Sequence, residues 1–95
     1  IYVDLREGFS INKIRYILNK YYQNSIFIKI LKCNSLISTN DVVNTNNCLI
    51  SVCKTKYKNR IIILSAIDNL IKGGAGQAVQ NMNIKFNFND SDGLR

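Results

Sequence analysis

Four consecutive large apolar residues, Ile61-Ile62-Ile63-Leu64, constrain this chain more than any other feature. A strand with one face in water alternates apolar and polar residues. An unbroken apolar run instead demands a sheet covered on both sides. Ninety-five residues are enough for one core and not two, so the cover must come from a few elements of one domain or from another chain. The run is far too short to span a bilayer, and no other stretch approaches about 18 apolar residues, so no membrane partner is expected.

The rest of the chain supplies the neighbours. Residues 1–6 alternate, with Ile1, Val3 and Leu5 on one face and Tyr2, Asp4 and Arg6 on the other, the pattern of a half-buried strand. Ser10 is placed to cap a helix whose apolar positions Ile14, Ile17, Leu18 and Tyr21 fall at three-four spacing. Residues 26–31 predict a second strand, 33–47 a long polar loop, and 48–55 a third strand. Lys56-Tyr57-Lys58-Asn59 turns into the apolar strand at 60–66. Asp68 caps a last helix with Leu70, Ile71, Ala75, Ala78, Val79, Met82 and Phe86 as its apolar positions, and residues 87–95 are expected to fray. The order β-α-β-loop-β-β-α is α+β: a single domain over 1–95, with a mostly antiparallel sheet and two helices against it.

Composition narrows the chemistry. The net charge is +7, yet 15 Ile, 14 Asn and 9 Lys with no Pro, Trp or His also fit an AT-rich coding sequence, so the lysines need not report a nucleic acid. Without histidine the chain cannot hold a Cys-His or Ser-His-Asp nucleophile or a His-ligated metal. Cys33, Cys48 and Cys53 form no C-x-x-C and suit reduced thiols in the cytoplasm. Cys48 and Cys53 face opposite ways on one strand, so they neither pair nor share a metal and read as buried, inert thiols. The chain opens on Ile1 with no charged-then-apolar leader, and it is expected to be a piece of something longer.

Two stretches invite a site. Lys72-Gly73-Gly74-Ala75-Gly76-Gln77 is glycine-rich but fails both phosphate-loop patterns: Val79 replaces a third small residue, and Lys72 precedes the glycines. Each glycine costs a helix roughly 1 kcal/mol against Ala, so close approach of a backbone or ligand must compensate. Lys54-Thr55-Lys56-Tyr57-Lys58-Asn59-Arg60 interleaves cations with an aromatic ring. It reads as a solvated hairpin tip, and an RNA-binding module is the alternative that it leaves open. Asp68-Asn69, between a buried strand and the glycine-bearing helix, can either cap that helix or bind a polar ligand.

The stretch from Ser65-Ala66-Ile67-Asp68-Asn69-Leu70 through Lys72-Gly73-Gly74-Ala75-Gly76-Gln77-Ala78-Val79-Gln80-Asn81-Met82-Asn83 resembles the C-terminal signature of the N-acetyl-gamma-glutamyl-phosphate reductase family. Ile1-Tyr2-Val3, Glu7-Gly8-Phe9-Ser10, Tyr21-Tyr22 and Asn44-Thr45-Asn46-Asn47-Cys48 match further landmarks in order. The chain departs at Asn44, where the family has Gly, and at Asn47, where it has an aromatic residue. Asn tolerates the left-handed conformation that Gly would supply.

The resemblance implies a fragment of the substrate and dimerisation domain of a glyceraldehyde-phosphate-dehydrogenase-like oxidoreductase in arginine biosynthesis. There a cysteine displaces phosphate from N-acetylglutamyl phosphate, and NADPH, bound mainly by an N-terminal domain, reduces the thioester to the semialdehyde. The related aminoadipyl substrate is not distinguished. The family's nucleophile and catalytic histidine have no counterpart in this chain, so no catalytic residue and no metal ligand is assigned. Asn69 is implied to lie near the nicotinamide carboxamide, with Gly73 and its neighbours letting the helix pack on the cofactor domain. A cytoplasmic homo-oligomer joined through the sheet face is expected, with Leu49, Ile62 and Leu64 as contacts.

Overall fold

The computed structural model describes Ile1–Arg95. Its elements are β1 (Tyr2–Asp4), α1 (Ile11–Tyr21), β2 (Ile28–Ile30), β3 (Cys48–Lys54), β4 (Arg60–Ile67) and α2 (Gly76–Lys85). The order is the one that the apolar patterns predict. The sheet runs β1-β4-β3-β2. β4 is antiparallel to both β1 and β3, whereas β2 and β3 are parallel, so the sheet is mixed but mostly antiparallel.

Register assigns the two faces. Leu49 pairs with Ala66, Ser51 with Leu64, Cys53 with Ile62, and Ile62 with Tyr2, and these residues share one face. Val52 pairs with Ile63, and Ile61 with Val3, on the other. α1 covers the Val52–Ile61 face, where both residues are buried. Ser10 starts this helix by accepting from the Lys13 N–H at 3.2 Å, as a capping serine does. The long loop covers part of the opposite face. The Ser35 carbonyl accepts from Ser51 Oγ at 2.7 Å, and Leu49 and Val42 are buried. Leu49 is therefore satisfied within its own chain and is not a contact surface, contrary to expectation. Tyr2, Ile62, Leu64 and Ala66 keep that face partly open.

Three further expectations change. The last helix is not continuous from Asp68. A π turn spans Ile71–Ala75, Gly74 leaves helical geometry (φ −146°, ψ −114°), and α2 begins only at Gly76. Two glycines in sequence weaken α-helical propagation there. α2 then lies beyond the end of β4, held by the π turn and the loop instead of the sheet, which stretches the molecule to 44 × 26 × 17 Å. The tail does not fray. Buried Asn83 donates through Nδ2 to the carbonyls of Asp90 (3.2 Å) and Asp92 (2.9 Å), and the Asn46 N–H donates to the Arg95 carbonyl at 2.7 Å. The three thiols are half-buried rather than buried, and Cys48 and Cys53 do face opposite ways.

Candidate functional site

The end of β4, the loop before β3 and the start of α2 meet at one end of the sheet. Asp68 joins them. Its carboxylate accepts from the backbone N–H groups of Asn44 (2.8 Å), Leu70 (2.8 Å) and Ile71 (3.2 Å). The Asn44 bond foremost, with those of Leu70 and Ile71, holds the carboxyl below the usual carboxylate range against the opposing effect of burial. Asn44 can turn its N–H toward Asp68 because it adopts the left-handed conformation, φ 60°. An asparagine at this position thus adopts the backbone geometry that a glycine would supply.

Asn46 ties the same loop to α2. It is fully buried, and its Nδ2 donates to Gln80 Oε1 at 3.0 Å, which also accepts from Lys72 Nζ at 2.7 Å. Lys72 lies 5.3 Å from the centre of the Phe27 ring, and burial pulls its ammonium below the ordinary lysine range. Asn46 Oδ1 is buried without a hydrogen bond and points at Gly76, where a Cβ would stand 2.5 Å from it. The close approach expected at the glycine stretch is therefore found at Gly76, and the approaching group is the chain's own loop.

The two implied cofactor contacts sit on the outer side of this arrangement. Asn69 is exposed, and its side-chain amide takes no part in the chain's own hydrogen bonds. Gly73 donates its N–H to the Asp68 carbonyl at 3.0 Å within the π turn. A Cβ at Gly73 would lie 3.0 Å from Asn69 Oδ1, so Gly73 leaves room for the Asn69 amide. Two strap points, Asp68 to Asn44 and Asn46 to Gln80, fix the turn that carries them. Sequence reasoning singled out Asp68, Asn69 and the glycines. It missed Asn46, Lys72 and Gln80 as one network, because a loop amide and two helix side chains far apart in sequence carry no periodic signal. No three His, Cys, Asp or Glu side chains converge anywhere as a metal site would require, and no helix is long and apolar enough to cross a membrane.

Comparison with known proteins agrees with this architecture. The family model described as semialdehyde dehydrogenase, dimerisation domain, matches residues 1–69, from β1 through the Asp68-Asn69 corner. The N-acetyl-gamma-glutamyl-phosphate reductase of Clostridium botulinum (strain Eklund 17B / Type B) is 45% identical over 94 residues, covering 99% of this chain and 27% of that protein. The protein of the same name from Campylobacter jejuni subsp. jejuni (strain 81-176) is 47% identical over 94 residues, 99% of this chain and 28% of its own length. That of Halothermothrix orenii is 44% identical over 95 residues, all of this chain and 27% of its own length. These matches continue past the family model through α2 and the tail, and the chain spans little more than a quarter of those relatives. With that family model matching residues 1–69, the chain belongs to the semialdehyde dehydrogenase dimerisation-domain family.

Proposed function

We propose that this chain is the C-terminal part of a cytoplasmic, NADP-dependent oxidoreductase of arginine biosynthesis that reduces N-acetylglutamyl phosphate to N-acetylglutamate semialdehyde. The carrying observation is identity of 44–47% to reductases of that name across the whole chain, α2 included. The name also favours the acetylglutamyl over the aminoadipyl substrate. Three free thiols suit a reducing compartment.

NADPH, when bound, supplies the hydride. This chain has no dinucleotide fold to hold it, and its contribution is confined to the corner after β4. The Asn69 amide offers one donor and one acceptor, the complement of a carboxamide, and it is free to use both. Gly73 keeps the space beside it clear, and the Asp68 carboxylate holds the backbone turn that carries the amide. In this reading α2 and its exposed Met82, Ile84 and Phe86 pack on the cofactor domain, while the open strip of Tyr2, Ile62 and Leu64 faces a second subunit.

A chimera tests the function. The matching 94-residue segment of the Campylobacter jejuni reductase is replaced by this chain, and NADPH oxidation is followed with N-acetylglutamyl phosphate. Turnover within about tenfold of the parent is expected. A folded, dimeric chimera without turnover, or one that prefers the aminoadipyl substrate, contradicts the reading.

A further inference from the structure

The end of the sheet opposite Asn69 carries a second concavity. A cleft of about 370 Å³ opens between the β3–β4 hairpin and the segment leading into α1. Leu5, Phe9 and Ile61 form its apolar floor, and Lys54, Lys58 and Arg60 stand at its rim. Its volume falls in the range of small-molecule sites, and an apolar floor with a few convergent polar groups is their usual construction.

The charges here are only partly cancelled. Arg60 pairs with Asp4 at 2.6 Å, and this is the chain's one salt bridge. Lys54 and Lys58 therefore have no carboxylate partner. Two more cations are held close by on rings: Lys13 Nζ lies 4.6 Å from the centre of Phe9, and Lys56 Nζ 5.1 Å from that of Tyr57. A neighbouring cleft shares Leu5, Phe9 and Lys58 and adds both Arg6 and Glu7, whose charges offset, so the unpaired positive charge stays with the hairpin lysines. Low-dielectric walls beneath two unpaired like charges focus the field on one point. A solvated hairpin tip explains the lysines singly, but it does not explain why they surround an apolar hollow. An extended nucleic acid would need a groove along the surface, whereas this positive field is gathered on a pit.

We propose that this cleft binds a small organic phosphate, with its charged groups on Lys54 and Lys58 and its body on Leu5, Phe9 and Ile61. The site lies at the far end of β4 from Asn69 and does not depend on the function proposed above.

Calorimetric titration of the chain with ATP as the probe, and with tripolyphosphate beside it, tests the proposal. ATP is expected to bind with a dissociation constant of about 1 mM or below at low salt and to weaken roughly tenfold at physiological salt. The double variant Lys54→Glu/Lys58→Glu abolishes binding, while Lys20→Glu/Lys29→Glu, the same charge change elsewhere, keeps it. Phe9→Ala weakens ATP while leaving tripolyphosphate unchanged. Thermal melts matching the parent's verify that each variant is folded. No binding of ATP, equal loss in the two charge-reversed pairs, or indifference of ATP to Phe9→Ala would overturn the proposal.

Discussion

Gly73 and Gly76 stand one helical turn apart, yet a methyl group at each meets a different kind of neighbour. At Gly76 it would lie 2.5 Å from Asn46 Oδ1 and 2.7 Å from the Ile71 carbonyl, a buried amide and a backbone atom that cannot rotate away. Gly76→Ala should therefore cost about 1–3 kcal/mol in chemical denaturation. At Gly73 the nearest atom is the end of the exposed Asn69 side chain, which can swing aside. Gly73→Ala should leave stability nearly unchanged but raise the KM for NADPH in the reductase chimera, as Asn69→Ala should. Normal kinetics with lost stability would reduce both to structural residues. Asp68 makes a pH prediction. Its folded pKa is lowered by three N–H donors, so the stability it adds is complete above the unfolded value near pH 4 and disappears as pH falls through the folded value. Urea midpoints of the parent and Asp68→Asn should differ by a constant amount from neutral pH down to about 5 and converge in stronger acid. A gap that persists in acid would contradict the clasp. The glycines were legible as positions of close approach. Which one is crowded was not, because the approaching Asn46 is a polar loop residue with no pattern to mark it as buried.

Among the elements, α1 was the most legible, since Ser10 and the three-four spacing act within one helix and need no tertiary information. Its cap is worth about 1 kcal/mol, so Ser10→Ala should lower the unfolding free energy by that amount, read as a lower urea midpoint with unchanged cooperativity. A loss near zero would show that the helix is held by packing of its half-buried apolar side alone. The last helix misled the reading for a physical reason. Apolar residues at helical spacing continue across residues 70–79, but spacing does not reveal whether a backbone carbonyl is met four or five residues later. The N–H of Gly73 reaches the Asp68 carbonyl and that of Ala75 reaches the Leu70 carbonyl, both five residues back. π turns of this kind recur at functional sites, and this one turns α2 off the sheet. The tail was misread because its anchors are carbonyls gripped by one buried asparagine, Asn83, which hydropathy ranks among surface residues.

The molecule as a whole exposes more surface than a domain of its size should. Its accessible area is 6925 Å², whereas a compact protein of 10.8 kDa exposes about 5,500 Å². The radius of gyration is 15.0 Å, against about 12 Å for a compact chain of this length. The excess, about 1,400 Å², exceeds what one partner of a standard interface buries. Its apolar part is spread over α1 (Tyr16, Ile17, Tyr21), the long loop (Leu36, Val43), the β1 edge of the sheet strip (Tyr2) and the α2 end (Met82, Ile84, Phe86). The continuous run Ile61-Ile62-Ile63-Leu64 announced the sheet's share from sequence, because α1 covers one face and the loop reaches only part of the other. Sequence could not tell how far the loop extends, which is why Leu49 was misassigned as a contact. If the sheet strip is a subunit interface, sedimentation equilibrium of the chain measures it directly. The parent should be dimeric at micromolar concentration, and Leu64→Lys, on the open face, should be monomeric with the same helix content. A parent that sediments as a monomer, or a dimer indifferent to Leu64→Lys, would contradict it.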